Sequence, residues 1–304
     1  MEIFPQVLIT GVTGMVGSVL AERFAAQSVP CSSLVRHNAQ PGASTFLWDP
    51  YNFEFRDDMR RLNGIRAAIH LAGDNVGSGR WTAHKKLRIR NSRVQTTHAL
   101  VELLSKLDQR PEVLICASAV GYYGDRGDEI LTETSAAGAG FLPEVCRDWE
   151  AEAETAANLG IRVVSLRFGV ILAAKGGALA KMLPLFRMAM GGRLGNGRQW
   201  MSWVALPEVV RVVEFCMAET QLRGPVNVVA NPVTNLEFTH ALGTHLHRPA
   251  GIPAPAFALR MALGEMADST MLASTRAIPE KLLQSGFVFR QPTLPEAFQA
   301  ILPA

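Results

Sequence analysis

The chain has no long apolar run, although 48% of its 304 residues are hydrophobic. A membrane-spanning helix needs about 20 consecutive apolar residues, so the sequence predicts no membrane partner. The formal net charge of +3 is too small to indicate nucleic acid. Residues 1–6 contain no basic and apolar leader, so we expect a cytoplasmic protein. A small-molecule partner is the remaining expectation.

Paired cysteine motifs are also missing. The chain has four cysteines, none in CxxC spacing: Cys31, Cys116, Cys146 and Cys216. They are predicted to be buried reduced thiols rather than disulfides or metal ligands. His240, His245 and His247 lie close together, but their spacing fits no familiar ligand set. We therefore predict no metal site.

The beginning of the sequence does contain a glycine motif, placed directly after a short apolar run at residues 7–10. Gly11 permits a sharp turn from strand to helix, and Gly14 lets the backbone approach a phosphate group. Gly17 lets the new helix pack closely on the strand. A pyrophosphate can then bind the free N–H groups at the helix N-terminus. The motif predicts a dinucleotide-binding site.

Apolar segments and helical segments alternate beyond this motif. The predicted strands are 7–10, 31–35, 67–71, 113–117 and 163–168, and the predicted helices are 15–26, 83–107 and 142–159. Such alternation predicts the α/β class, here a Rossmann-type doubly wound parallel sheet. Glycine pairs and prolines after Gly176 predict a smaller C-terminal α/β region that binds substrate. We assign 1–170 plus 203–230 to the nucleotide-binding domain and 171–202 plus 231–304 to the substrate-binding region.

An acidic residue is missing at the end of the second predicted strand. NAD sites usually place a carboxylate there for the ribose hydroxyls, whereas NADP sites place an arginine for the 2′-phosphate. No acidic residue occurs between Glu22 and Asp49, and Arg36 follows Val35 at this position. The sequence therefore favours NADP(H).

Two predicted helices carry charged residues. The first includes Lys85, Lys86, Arg88, Arg90 and Arg93, a run that is typical of a solvated face. Arg93 is the possible exception to this interpretation.

The second of these helices is predicted to expose Glu150, Glu152 and Glu154 and to end before Gly160.

Taken together, the motifs resemble a known superfamily. The pattern Thr-Gly-x-x-Gly-x-x-Gly at 10–17 is similar to the opening of extended short-chain dehydrogenase/reductases. The wider set of motifs resembles the SulA-like branch of the epimerase family over nearly the whole chain. These motifs are Ala72-Gly73, Arg80-Trp81, Ser92-Arg93, Gly121-Tyr122-Tyr123-Gly124, Trp149-Glu150, Arg167 with Gly169, Gly176-Gly177, Met182-Leu183-Pro184, Gly195-x-Gly197, Gln199, and Pro279-x-x-Leu282 with Gly286-Phe287.

The resemblance implies an NADP(H)-binding Rossmann domain with a small C-terminal domain. It assigns the pyrophosphate to the glycine loop, the 2′-phosphate to the end of the second strand, and the adenine and its ribose to the next two strand ends. The implied cofactor residues are Gly11, Thr13, Gly14, Met15, Val16, Val35, Arg36, Trp48, Asp49, Leu71, Ala72, Gly73, Arg93 and Arg167. Members of the branch are named as nucleotide-sugar epimerases, which does not identify a substrate.

The superfamily's usual Ser/Thr, Tyr and Lys do not align with suitable residues in this chain. When the Tyr-Gly and helix Glu patterns are matched, those three positions fall on Ala119, Leu142 and Cys146. Ser118 and Tyr123 are the predicted catalytic substitutes, with Tyr122 beside them as a further candidate. They follow a strand at the carboxyl edge of the sheet, where ligands bind. Cys146 is predicted to be a core residue rather than a nucleophile.

Two functions follow as hypotheses. The first is an NADP(H)-dependent atypical short-chain oxidoreductase or epimerase-like enzyme that acts on a small molecule, as a monomer or a homodimer. Proton handling would then fall to Ser118 and a tyrosine, or to substrate and water. The alternative is a non-catalytic NADP(H)-binding regulatory or sensor protein, for which the unmatched triad positions are the telling feature.

Overall fold

The computed structural model describes residues 6–36 and 44–302. Residues 1–5, on which the expectation about a leader depends, lie outside the described part. The described strands, numbered β1 to β14 in chain order, are Gln6–Thr10, Cys31–Val35, Thr45–Asp49, Glu54–Phe55, Ile65–His70, Val113–Ala119, Ile130–Leu131, Arg162–Phe168, Val170–Leu172, Trp200–Met201, Trp203–Ala205, Gly224–Val228, Val233–Thr234 and Arg276–Ala277.

Helices alternate with the longer strands in the first two thirds of the chain. The helices, numbered α1 to α10, are Met15–Ala26, Ala83–Asn91, Val94–Ser105, Phe141–Glu154, Gly177–Arg187, Leu206–Ala218, Asn235–His245, Ala256–Leu263, Glu280–Gln284 and Leu294–Ile301. Short 3₁₀ turns at Met59–Leu62, Val120–Tyr123 and Thr155–Leu159 and a π turn at Ala267–Met271 complete the described elements.

Eight strands form the central sheet in the order β12-β8-β6-β5-β1-β2-β3-β4. All neighbouring pairs are parallel except β3 with β4. The chain runs outward from β1 through β2 and β3, and then returns to build β5, β6, β8 and β12 on the other side. This reversal lies between β1 and β5, so a ligand crevice is expected there at the carboxyl ends of the strands.

Apolar residues cover both faces of the sheet. One core cluster packs α1 and α6 on the strands, with Leu20, Phe24 and Val213 almost fully buried. The other packs α3 and α4 on the opposite face, through residues such as Leu100 and Trp149. Helices on both faces of a parallel sheet confirm the predicted doubly wound architecture.

A third cluster joins α5, α7 and α10 to β11 in the C-terminal part of the chain. Short strand pairs connect this part to the sheet region: β9 pairs with β11, and β14 pairs with β7. The predicted domain boundaries remain a prediction.

One predicted helix is in fact two. The segment 83–107 is interrupted at Ser92 and Arg93, between α2 and α3. The Ser92 hydroxyl donates to the Ile89 carbonyl and accepts the Asp74 N–H. Arg93 also donates to the Ile89 carbonyl, so side chains replace the regular helical hydrogen bonds at this point.

Candidate nucleotide and active site

The glycine loop between β1 and α1 has a physical reason for each glycine. Gly11 has φ +72°, and a Cβ there would lie 2.8 Å from the Ala72 nitrogen after β5. A Cβ at Gly17 would collide with the Gly11 carbonyl oxygen, so α1 approaches the loop closely. Gly14 is exposed and lies at the start of α1, where its N–H donates to the Gly11 carbonyl.

The N-terminus of α1 is open to an anion. Its cap residue, Gly14, provides no side-chain hydrogen bond, and the first turn contains no acidic residue. The first N–H groups of a helix have no partner within the helix, so the loop from Thr13 to Val16 can donate to phosphate oxygens. Met15 also packs against the later glycine pair, because its Sδ would lie 3.5 Å from a Cβ at Gly176 and 3.3 Å from one at Gly177.

The ends of β2 and β3 carry the other predicted nucleotide contacts. Val35 ends β2, and Arg36 is exposed directly after it. Asp49 ends β3 and accepts hydrogen bonds from Asn52, which lower the pKa of its carboxyl group. The Trp48 side chain is only 5% exposed and belongs to the core. A nucleotide contact at Trp48 would therefore involve its backbone.

The segment after β5 meets Arg93. Leu71, Ala72 and Gly73 leave the sheet beside Gly11. The Arg93 guanidinium lies against Gly73, with Cζ 3.3 Å from where a Cβ would be, and donates to the Asp74 carbonyl. It also lies 5.1 Å from the Trp149 ring centroid. The break between α2 and α3 therefore brings Arg93 to the predicted ribose segment, although its contact with a cofactor stays a prediction.

A buried histidine lies beneath this crevice. The Nδ1 atom of His70, at the end of β5, is 2.6 Å from the Thr10 hydroxyl. Its Nε2 atom is 3.4 Å from the Thr96 hydroxyl. Burial lowers the pKa of His70 to about 3, so its ring is neutral at physiological pH. His70 was not among the predicted site residues.

Ser118 begins a buried polar network at the ends of β6 and β8. Its hydroxyl donates to Glu150 Oε1 at 2.6 Å. Arg167 holds the same carboxylate with two bonds, from Nε at 2.8 Å and from Nη2 at 2.7 Å. The Glu150 carboxylate and the Tyr123 hydroxyl outweigh burial and raise the pKa of Arg167 further above its ordinary value.

The prediction that Glu150 is exposed is wrong. Its side chain is 14% exposed and faces the sheet, because it lies one helical turn after the buried Cys146. Arg167 is 2% exposed and uses its guanidinium inside the protein, so the structure shows no free surface through which this arginine would reach a cofactor.

The two adjacent tyrosines have different surroundings. Tyr123 is fully buried, and its hydroxyl lies 2.7 Å from Asn227 Oδ1 and 2.9 Å from the Thr132 carbonyl oxygen, either of which can accept its single proton. It also accepts from Arg167 Nη1 at 2.9 Å. Burial raises the Tyr123 pKa despite the nearby guanidinium. The catalytic role of Tyr123 stays a prediction, and in this conformation its side chain has no exposed surface with which to touch a substrate.

The network continues into the C-terminal part of the chain. Asn227 donates to the Ile278 carbonyl, and its backbone N–H donates to Glu133 Oε1. Glu133 Oε1 also accepts from the Lys281 N–H, while its buried Oε2 has no partner among the described residues. Sequence reasoning missed Glu133 and Asn227, because no local pattern distinguishes them.

All four cysteines are free thiols. Burial raises the pKa of Cys146 to about 12, which is unsuitable for a nucleophile. Within the described ranges there is no group of three or more residues able to hold a metal ion. Among the helices of the same ranges, none combines the length and apolar character that crossing a bilayer needs.

The basic run on α2 is not a simple solvated face. Lys85 is buried against Asp74 at 2.7 Å, and Arg90 pairs with Asp148 at 2.8 Å. Lys86 pairs with Glu265 in the C-terminal part. The solvated-face interpretation holds for Arg88 and Arg90, whose side chains are exposed, and is wrong for Lys85, which is buried beside Asp74.

The glycine loop, the open helix N-terminus and the sheet reversal fit a dinucleotide pyrophosphate, since no side chain stands between the backbone and a phosphate. Fold and site together define a Rossmann-type NAD(P)-binding protein. A family model described as the NAD dependent epimerase/dehydratase family matches residues 7–229. A domain of unknown function, DUF1731, matches residues 254–301. The chain belongs to this epimerase/dehydratase family, and its extended short-chain dehydrogenase/reductase character is confirmed.

Relatives align along almost the whole chain. "Epimerase family protein ML0860" of Mycobacterium leprae is 40% identical over 292 residues, covering 96% of this chain and 94% of its own. The chloroplastic SDR39U1 homolog of Arabidopsis thaliana is 35% identical over 302 residues, covering 97% and 86% respectively. The crystal structure of human epimerase family protein SDR39U1 (isoform 2) with NADPH superposes with a TM-score of 0.87 at 27% identity, covering 97% of this chain and 98% of the human chain.

Proposed function

We propose that this protein is an NADP(H)-dependent oxidoreductase or epimerase-like enzyme that acts on a small molecule bearing a carbonyl or hydroxyl group. The observation that carries the proposal is the chain of hydrogen bonds from Ser118 through Glu150 to Arg167, placed at the same sheet edge as the glycine loop.

Preference for NADP(H) over NAD(H) rests on Arg36. It is exposed at the end of β2, and no carboxylate precedes it on that strand. An exposed guanidinium can form two hydrogen bonds with a 2′-phosphate. The human relative with 27% identity is described with NADPH, which supports this choice.

A bound nicotinamide would supply or accept a hydride at the substrate carbon. The Ser118 hydroxyl donates its hydrogen bond to Glu150. Its oxygen lone pairs can therefore accept a hydrogen bond from a substrate hydroxyl. Arg167 donates two hydrogen bonds to the Glu150 side chain and a third to the Tyr123 hydroxyl, so Tyr123 helps to hold Arg167 in place. In this proposal Ser118 orients the substrate oxygen, and Tyr123 is a positioning residue.

The alternative, an NADP(H) sensor without turnover, has one specific observation in its favour. Met15 of the glycine loop packs against Gly176 and Gly177 at the start of α5. A nucleotide bound at the glycine loop would touch Met15 and thereby displace α5.

The cofactor assignment is tested by titrating the protein with NADPH and NADH, following tryptophan fluorescence or heat. We expect NADPH to bind more tightly, and Arg36→Ala to weaken NADPH at least about tenfold, or ~1.4 kcal/mol, with little change for NADH. Arg147→Ala, an exposed arginine on α4, is the matched control. Equal binding of the two cofactors by the wild type would contradict the NADP(H) preference.

Turnover is tested by following NADPH oxidation with a panel of carbonyl compounds. Ser118→Ala should lower kcat, and Tyr123→Phe should lower it less, because the latter keeps the ring. Turnover that survives both substitutions would overturn the roles of Ser118 and Tyr123 but leave the enzyme class intact. NADPH binding without any turnover across the panel would favour the sensor.

A further inference from the structure

Tyr122 differs from its neighbour in having an unengaged hydroxyl. The residue is partly exposed, and no residue in 6–36 or 44–302 forms a hydrogen bond with its hydroxyl group. Tyr123, in contrast, is fully buried with its hydroxyl engaged by Asn227, Thr132 and Arg167. Only one of the two phenols is therefore free to meet a bound molecule.

The ring of Tyr122 is held firmly although its hydroxyl is free. Arg167 Cζ lies 3.5 Å from the Tyr122 ring centroid, and the Tyr123 ring meets it edge-on with centroids 5.4 Å apart. The Tyr122 carbonyl accepts the Gly138 N–H at 2.9 Å. The guanidinium under the ring is the one that clamps Glu150, the acceptor of the Ser118 hydroxyl. Tyr122 and Ser118 are thus fixed by the same Arg167–Glu150 pair.

The hydrogen bonds of Ser118 also limit the proton transfer that this residue can carry out without a second group. Any proton that Ser118 passes inward reaches Glu150, whose carboxylate is already paired with Arg167. A group that exchanges a proton with substrate in every turnover also needs a route to water. Tyr122 lies in the turn Val120–Tyr123 directly after β6, at the carboxyl edge of the sheet, and is the tyrosine there with exposed surface.

We propose that Tyr122 is the catalytic tyrosine of this site, and that its hydroxyl exchanges a proton with the substrate oxygen. This inference rests on the proposed function. In the reducing direction, the substrate carbonyl carbon gains a hydride from NADPH while the oxygen takes the Tyr122 proton. The resulting phenolate is stabilised by the Arg167 guanidinium under its ring and takes up a proton from the solvent, so that the substrate carbonyl, NADPH and H⁺ together give the alcohol and NADP⁺. Because the Ser118 hydroxyl donates to Glu150, Ser118 accepts a hydrogen bond from the hydroxyl of the alcohol, and Tyr123 positions Arg167.

Tyrosine acetylation with N-acetylimidazole, mapped by mass spectrometry, tests the placement without a known substrate. The chain has three tyrosines, and Tyr51 is 39% exposed. We expect Tyr51 and Tyr122 to be labelled in the free protein, and Tyr123 to be labelled only after unfolding. Saturation with NADPH should slow the labelling of Tyr122. An unreactive Tyr122, or one labelled at the same rate with and without NADPH, would overturn the proposal.

Kinetics provide the second test, on the carbonyl compound that the panel identifies. Tyr122→Phe keeps the ring on Arg167, so we expect an unchanged melting temperature and NADPH Kd, with kcat lowered about 100-fold or more. Tyr123→Phe should have the smaller effect on kcat. The reverse ranking would return the catalytic role to Tyr123. If the wild type does not bind NADPH, the proposed function itself is overturned. The titration with NADPH shows this outcome independently of the tyrosine variants.

Discussion

At the scale of single residues, burial decides which of two adjacent tyrosines a bound molecule can reach, because Tyr123 is fully buried and Tyr122 is partly exposed. Ser118 and the two tyrosines were identified because they follow a strand at the binding edge. Helical periodicity also predicts that Glu150 faces the sheet, because it lies four residues after Cys146, which is a core residue. The burial of Tyr123 could not be predicted, because its partner Asn227 lies on a strand more than a hundred residues away.

His70 provides a prediction about pH. Its pKa is lowered to about 3 by burial, whereas an unfolded histidine has a pKa of about 6.5. Below pH 6.5 the unfolded chain takes up a proton that the folded protein does not, so stability is lost as pH falls from 6.5 towards 3. Between pH 7 and pH 5, this residue should reduce the free energy of unfolding by about 2 kcal/mol.

Urea unfolding at pH 7 and pH 5 measures this loss. His70→Asn should be about 2 kcal/mol less sensitive to the change than the wild type. His84→Asn is the control, because His84 is exposed on α2 and should retain the wild-type sensitivity. Equal losses in all three proteins would show that the pH dependence has another origin.

At the scale of elements, periodicity and glycine spacing predicted most of the sheet and its helices. The first strand–helix–strand unit is predicted correctly almost to the residue, because its apolar segments are short and bounded by glycine or proline. The break between α2 and α3 was missed, since it depends on side-chain hydrogen bonds by Ser92 and Arg93 rather than on glycine or proline.

Gly17 allows a test of the close packing between β1 and α1. Gly17→Ala places a methyl group against the Gly11 carbonyl oxygen, so α1 must move away from the loop that is predicted to bind the pyrophosphate. We expect NADPH affinity to fall at least about tenfold, equivalent to ~1.4 kcal/mol, together with a lower melting temperature.

Gly251→Ala is the matched control, because a Cβ there meets no atom within 4 Å. It should leave both NADPH affinity and melting temperature unchanged. NADPH binding that is unaffected by Gly17→Ala would mean that the dinucleotide does not depend on this loop.

At the scale of the whole molecule, the attachment of the C-terminal part could not be predicted, because much of it depends on backbone atoms. Glu133 accepts the N–H of Lys281, and Glu208 accepts the N–H groups of Arg290 and Gln291. Any residue except proline has such a donor, so the sequence contains no pattern that marks these contacts. Two carboxylates that precede this segment in the chain, those of Glu133 and Glu208, thereby hold the segment that the DUF1731 match covers.

Glu208 is the stronger of these anchors and can be tested directly. Its side chain is fully buried in the first turn of α6, where it also accepts from Arg211 Nη1 at 2.6 Å. Arg211 in turn donates to the Val288 carbonyl and lies over the Phe287 ring. Glu208→Ala removes the acceptor of two backbone N–H groups and the partner of Arg211, at a total cost on the order of 1–3 kcal/mol. We expect a corresponding loss in unfolding free energy and faster proteolysis within residues 285–292.

The control is Glu214→Ala on the same helix, which removes a partly exposed ion pair with Arg23. Such a pair contributes at most about 1 kcal/mol, so proteolysis of 285–292 should stay at the wild-type rate. Similar cleavage in the two variants would show that the segment is held by the apolar packing of Phe287 rather than by the Glu208 carboxylate. Selective release in Glu208→Ala, with NADPH binding intact, would show that the C-terminal part can loosen while the nucleotide site stays formed.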